Sequence, residues 1–324
     1  MTKAIDVQRV SKQYAGLTVV DNVSFSVNQG ELFGFVGPNG AGKTTTINIL
    51  CTLTKPTGGI ALVNGYDVVK DTSAIRRTIG VVFQETTLDS YLTAEQNLLF
   101  HAYAYGVPKD IMQTRMKNLL QLVDLWDRKN AKIQTFSGGM KRRLELVRGL
   151  IHHPKVLFLD EPTLGLDPQT RNYIWDYLDR IRREENVTIF MTTHYMDEAD
   201  TCDRIAVIDN GKIVAIDSPE TLKNKLGGDV VSLRTSDQSG ALSELSEQWS
   251  VGVEVEEDLI TFAVPNGEKF LPTFIREFKG QILSIGVRRP TLDDVFLNLT
   301  GKDIRDEEVD TVAQFKQSLK NRRR

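Results

Sequence analysis

Residues 32–53 read Leu-Phe-Gly-Phe-Val-Gly-Pro-Asn-Gly-Ala-Gly-Lys-Thr-Thr-Thr-Ile-Asn-Ile-Leu-Cys-Thr-Leu. The first five form a short apolar run suited to a buried strand, and the stretch from Lys43 to Leu53 has helical character. Between them Gly37, Pro38, Asn39, Gly40, Ala41, Gly42, Lys43 and Thr44 fill the pattern G-x-x-x-x-G-K-[ST]. Glycines let the backbone wrap phosphate oxygens closely, and the helix that follows adds the positive end of its dipole. Lys43 is expected against the β- and γ-phosphates of a nucleotide, and the Thr44 hydroxyl on Mg²⁺. A chance glycine turn is the competing reading, and the strand–loop–helix context weighs against it.

Outward from this loop, strand and helix patterns alternate. Ile5, Val7 and Val10, then residues 19–27, read as strands ahead of it. Residues 93–125 turn purely helical: Thr93 and Gln96 have capping-box spacing, Gly106 and Pro108 break the helix, and Met112, Met116, Leu119, Leu120 and Val123 recur on one face. Two buried-strand runs follow, 156–159 and 187–191, with a helix near 170–184 between them. The order implies an α/β fold with a largely parallel sheet and an all-helical insert at about 88–153. Gly227-Gly228 breaks the pattern. Beyond it, strand and helix signals run β-α-β-β-α-β plus a closing helix at 291–299, which fits a ferredoxin-like unit. In that unit Ser284 and Gly286 interrupt the last strand, and Phe270, Leu271, Phe274, Ile275 and Phe278 share a helical face. The expected domains are 1–226, 229–301 and a charged, solvated tail at 302–324.

Asp160 and Glu161 close the apolar run Val-Leu-Phe-Leu. Open α/β sheets bind ligands at the carboxyl ends of their strands, where the phosphate loop also lies. Asp160 is therefore expected to hold Mg²⁺ and Glu161 to polarise a water at the γ-phosphate. The whole chain carries 40 Lys+Arg against 43 Asp+Glu over 324 residues, which argues against broad nucleic-acid binding. Two cysteines exclude a disulfide framework and suggest a reducing compartment. No apolar run approaches the ~18 residues of a membrane span, so any work at a membrane needs a partner.

These motifs and their order resemble the ATP-binding subunit of an ABC transporter over residues 3–226. Phe136-Ser137-Gly138-Gly139-Met140 is similar to the family signature, with Phe136 and Met140 in place of its usual Leu and Gln. Gln84 stands at the Q-loop, Gly165-Leu166-Asp167 at the D-loop, and His194 at the switch histidine. Tyr14 sits where an aromatic stacks on adenine. The Phe-Ser-Gly-Gly-Met-Lys wording, and Arg288-Arg-Pro-Thr-Leu-Asp-Asp-Val-Phe296, resemble the daunorubicin/doxorubicin drug-resistance branch.

The resemblance implies a P-loop ABC cassette with a β-subdomain and a helical insert. It implies ATP and Mg²⁺ as cofactors, with Thr45 among the nucleotide contacts and Gln84 joining Thr44 and Asp160 on the metal. Glu161 would be the general base and His194 would hold the γ-phosphate. Ser137, Gly138 and Gly139 of one copy would complete the site built by Lys43 and Glu161 of another, with Asp167 between. The implied partners are a second copy and a multi-span permease, on the inner face of the cell membrane, with export of a drug, lipid or other small compound. A regulatory or dimerising role is the expectation for 229–301.

Other readings fare worse. An ABC-type ATPase of DNA work would need a long coiled-coil insertion, and a translation-associated one would need two cassettes. A non-hydrolysing sensor would lack Glu161. His152-His153 is expected to serve helix-end electrostatics rather than a metal, and Cys202 to be a plain buried thiol. The competing reading of the signature helix, an ordinary capped helix with Lys141, Arg142 and Arg143 on its solvent face, accounts for the Ser137 cap but not for Gly138-Gly139. His101 with Phe100, Tyr103 and Tyr105 is expected to belong mainly to the core, docking a membrane partner being the other reading.

Overall fold

The computed structural model describes residues 2–249 and 251–301. The chain divides into two compact units, at Ile216/Asp217. In the first, β1 (Lys3–Tyr14) and β2 (Leu17–Asn28) precede β3 (Leu32–Val36) and α1 (Lys43–Leu50). Then come β4 (Gly58–Val63), β5 (Tyr66–Asp67), α2 (Thr72–Thr78) and β6 (Ile79–Val82). Three helices follow: α3 (Ala94–Ala104), α4 (Lys109–Leu122) and α5 (Gly138–Leu150). The unit closes with β7 (Val156–Asp160), α6 (Pro168–Glu185), β8 (Thr188–Thr193), α7 (Met196–Ala199), β9 (Arg204–Asp209) and β10 (Lys212–Asp217).

A six-stranded sheet has the order β10-β9-β3-β8-β7-β6. Its inner pairs β3/β8, β3/β9, β7/β8 and β6/β7 are all parallel. The expected α/β class holds, and the all-helical stretch lies between β6 and β7. Parallel alignment puts the carboxyl ends of β3, β6, β7 and β8 along one edge, which is why Gly37, Gln84, Glu161 and His194 leave the sheet on the same side. A second sheet, β2-β1-β4-β5, is antiparallel and forms the β-subdomain. Both sheets share one core. Phe25 of β2 lies against Phe33, Phe35 and Phe190 at centroid distances of 5.4–5.8 Å, each such aromatic pair adding about 0.5–1.5 kcal/mol beyond area burial. The Thr93–Gln96 capping box forms as its spacing predicts.

The second unit begins with α8 (Pro219–Asn224) and β11 (Asp229–Thr235), then α9 (Gln238–Glu244), β12 (Val253–Glu256) and β13 (Leu259–Val264). It ends with α10 (Gly267–Glu277), β14 (Ile282–Arg288) and α11 (Leu292–Thr300). All pairings are antiparallel in the order β12-β13-β11-β14, the ferredoxin-like arrangement. Its last strand survives Ser284 and Gly286, because Ile282, Ile285 and Val287 pack on the core. Ile275 departs from expectation: it is exposed while Phe274 and Phe278 are buried. Among the described residues no helix is long and apolar enough to cross a membrane. The expected tail at 302–324 lies outside the described residues.

Candidate nucleotide site

The phosphate loop folds as its glycines allow. Gly42 has φ +105°, and a Cβ there would also lie 2.8 Å from the Val19 carbonyl oxygen, so the position admits no side chain on two counts. Lys43, 5% exposed, donates from Nζ to the Gly37 and Pro38 carbonyls at 2.7 and 3.0 Å. Its Nζ also lies 3.5 Å from Glu161 Oε1. Pro38 and Ala41 are buried, Asn39, Gly40 and Thr44 exposed, and Thr45 half-buried.

Glu161 follows β7 with φ +48°, an uncommon conformation for a side-chain-bearing residue. Its N–H, donating to the Thr192 carbonyl at 3.2 Å and hydroxyl at 3.1 Å, holds it there. His194 Nδ1 is 3.3 Å from Glu161 Oε1. Burial alone would raise the Glu161 carboxyl, but its hydrogen bond with His194 and the charge of Lys43 outweigh that and hold it below the usual glutamate range. It is therefore anionic at neutral pH. Asp160 accepts from Thr192 Oγ1 at 2.6 Å and from Thr44 Oγ1 at 3.4 Å. This hydroxyl–carboxylate pair is a hard oxygen donor set of the kind Mg²⁺ uses when phosphates and water supply its other ligands.

Sequence-distant residues thus converge: Lys43, Thr44, Asp160, Glu161 and His194 form one contiguous group. The remaining candidates sit elsewhere. Gln84 is exposed on the loop after β6. Tyr14 ends β1, 44% exposed, with the Lys12 ammonium 4.8 Å from its ring centroid. Ser137 caps α5 by accepting the Met140 N–H at 3.3 Å, and Asp167 caps α6 by accepting that of Thr170 at 3.0 Å. These two helix starts touch, because a Cβ on Gly139 would fall 2.5 Å from the Thr170 methyl carbon. Gly139 thus has a packing reason of its own, while a Cβ on Gly138 would meet only Leu166, at 3.8 Å. Gly139→Ala is expected to push α5 off α6 and cost about 1–3 kcal/mol by overpacking. A denaturant midpoint equal to wild type would contradict that.

Arg142 counts against the competing reading of an ordinary capped helix with its basic residues in solvent. It is 7% exposed and donates to the carbonyls of Pro162 and Phe83 at 2.5 Å and of Asp160 and Glu161 at 3.2 Å. Its Nη1 also meets Glu145 Oε2 at 3.3 Å. Arg143 is half-buried, bonding the Val123 carbonyl at 2.8 Å. The signal in the sequence was the i,i+3 Arg142–Glu145 pair among Leu144, Leu146 and Val147.

A cleft of about 590 Å³ opens between the sheet and the helical stretch, lined by Arg76, Phe83, Phe100, His101, Arg148 and His152, among others. His101 is half-buried there, and Phe100 and Tyr103 are exposed, so this aromatic group is not core. His152 Nε2 lies 2.9 Å from the Ile79 carbonyl, and its ring stacks on Tyr105 at 3.8 Å. Burial lowers the pKa of His152, and burial with the Arg115 charge lowers that of His153, whose exposed ring lies 3.5 Å from Glu185 Oε2. Burial, with Arg148 and His152 nearby, pushes His101 down to about 4. An unfolded histidine titrates near 6.5, so stability is full above that pH and drains away as pH falls toward 4. His101→Phe is expected to flatten this acid loss by about 1–2 kcal/mol after solvent screening, read from denaturant midpoints at several pH values. Both cysteines are free and buried, and burial raises their thiols.

A phosphate loop facing a carboxylate pair and a histidine at one sheet edge defines a P-loop nucleotide hydrolase. Residues 20–164 match the ABC transporter family, and residues 218–300 the C-terminal domain of DrrA1-3-like ATP-binding proteins. The linearmycin resistance ATP-binding protein LnrL of Bacillus subtilis (strain 168) is 38% identical, over 93% of this chain and 100% of that one. The daunorubicin/doxorubicin resistance ATP-binding protein DrrA of Streptomyces peucetius is 37% identical over 97% of each chain. A dimeric ATP-binding cassette solved in a post-hydrolysis state with ADP and Pi superposes with a TM-score of 0.60 at 28% identity, covering 66% of this chain and 98% of that one. The chain belongs to the ATP-binding subunits of ABC transporters, in the branch of drug-resistance ATP-binding proteins, and is a transport-associated ATPase.

Proposed function

We propose that the chain hydrolyses Mg·ATP in a site completed by a second copy and so drives a separate multi-span permease that exports a drug, lipid or other small compound. The observation that carries the reading is the Lys43–Glu161–His194 group, with separations of 3.5 and 3.3 Å, at the carboxyl edge of the parallel sheet. Lys43 binds and neutralises the β- and γ-phosphates, and the loop N–H groups from Asn39 to Thr45 surround them. Glu161 accepts the proton of the attacking water, and His194 orients that water and the γ-phosphate. Thr44, Asp160 and Gln84 would hold Mg²⁺, which would neutralise charge on the phosphates.

Tyr14 stacks on adenine. Ser137, Gly138 and Gly139 present the α5 N-terminus to the nucleotide of the facing copy, and the open space at Gly138 suits that approach. Asp167 lies between the two sites. Export follows the names of the relatives, which include a Nod factor export ATP-binding protein I of Ralstonia nicotianae at 38% identity. The permease would seat in the cleft beside Phe100 and Tyr103 and hold the chain, cytoplasmic, on the inner face of the membrane. The ferredoxin-like unit would regulate or dimerise the cassettes, and no role for nucleic acid is proposed. Co-expression with candidate multi-span permeases is the test. Co-purification and permease-stimulated hydrolysis are expected, and an ATPase that ignores every such partner would defeat the transport reading.

A further inference from the structure

Glu198 is a buried carboxylate that the mechanism above does not use. It lies on α7 at 2% exposure, and burial pushes its carboxyl up despite its hydrogen-bond donors. Burying a carboxylate is costly unless its oxygens are satisfied, so a buried acid away from any substrate calls for a geometric explanation. Its two oxygens serve two different loops. Oε1 accepts from the hydroxyl of Thr163, and Oε2 accepts from the hydroxyl of Thr193 at 2.7 Å. Both threonines are buried, at 0% and 1% exposure.

Each threonine sits in a decisive place. Thr163 belongs to the turn that leaves Glu161: Leu164 N–H donates to the Glu161 carbonyl at 3.3 Å, and Leu166 N–H to the Thr163 carbonyl at 3.1 Å. Thr193 directly precedes His194, and its hydroxyl also accepts the Tyr195 N–H at 2.9 Å. A third element joins them. Arg171, in the first turn of α6, has Nε 3.8 Å from Glu198 Oε1, and its guanidinium lies 4.3 Å from the centroid of the Tyr195 ring.

We infer that Glu198 is a positioning residue: its carboxylate clamps the turn that carries Glu161 to the strand end that carries His194, and so sets the distance between those two side chains. The inference rests on the proposed roles of Glu161 and His194. Lys43 keeps its own bonds to the loop carbonyls, so nucleotide binding does not depend on the clamp. Misplacing reacting groups by about 1 Å can cost on the order of 10²-fold in rate.

The test is phosphate release by the purified full-length chain over a range of Mg·ATP concentrations. Glu198→Ala is expected to lower kcat about 10- to 100-fold with KM for ATP within about twofold. Glu198→Gln, whose amide can accept from one threonine and donate to the other, is expected to recover most of that loss. An alanine variant with wild-type kcat overturns the inference, as does a loss confined to KM, or an equal loss in alanine and glutamine variants. Should Glu198→Ala fail to fold, Thr163→Val removes one arm of the clamp at constant shape, and an unchanged kcat there also overturns it. Glu161→Gln, measured alongside, separates the two claims. Turnover by that variant refutes the catalytic reading, whereas its inactivity beside an active Glu198→Ala refutes only the clamp.

Discussion

Glu161→Gln is expected to bind Mg·ATP with wild-type affinity and to hydrolyse it about 10²–10⁴-fold more slowly, the usual cost of a lost general base. The amide is isosteric, so the backbone at φ +48° and its bonds to Thr192 need not change. What disappears is the negative charge that His194 and Lys43 stabilise. With hydrolysis blocked and binding intact, ATP should hold two copies together. Size-exclusion chromatography with ATP should therefore show dimers for this variant. A turnover close to wild type would remove Glu161 from the role.

Arg142→Met is expected to destabilise the first unit by about 3–5 kcal/mol, the range for a buried ion pair that loses one partner. Glu145, 2% exposed, would lose its ion-pair partner, and the carbonyls of Phe83, Asp160, Glu161 and Pro162 would lose a common donor. For a unit of this size that is a melting shift on the order of 10 °C. Arg142→Lys should not restore it, because one ammonium cannot reach carbonyls spread around a planar fork. A shift under about 1 kcal/mol would show that the network contributes little. The same residue ties α5 to the strand ends that carry Gln84 and Glu161, so activity should fall with stability.

Much of this is legible in the amino-acid sequence. The loop from Gly37 to Thr44 needed only its own glycines, its lysine and its neighbours, because phosphate binding by backbone N–H groups is a local property. The Thr93–Gln96 capping box and the periodic apolar face of 112–123 were readable for the same reason. The ferredoxin-like order β-α-β-β-α-β was also visible, although Ser284 and Gly286 obscured β14, whose apolar partners lie on other strands.

Burial of charge was not legible. Arg142 looked like one of three basic residues facing water, and only the carbonyls of distant strand ends explain why it points inward. The aromatic group around His101 looked like core, and the fold leaves Phe100 and Tyr103 exposed beside a cleft. Gly139 looked like a glycine kept for a ligand, and it also has Thr170 against it.

The α/β class, the phosphate loop and the family are written in short motifs, each made of residues close together in the chain. How Lys43, Glu161 and His194 meet, and that Arg142 and Glu198 stand behind them, follows from the packing of distant segments. Hydrogen bonds and ion pairs between residues far apart in the chain depend on which strands lie side by side, and strand order is set by packing of the whole sheet.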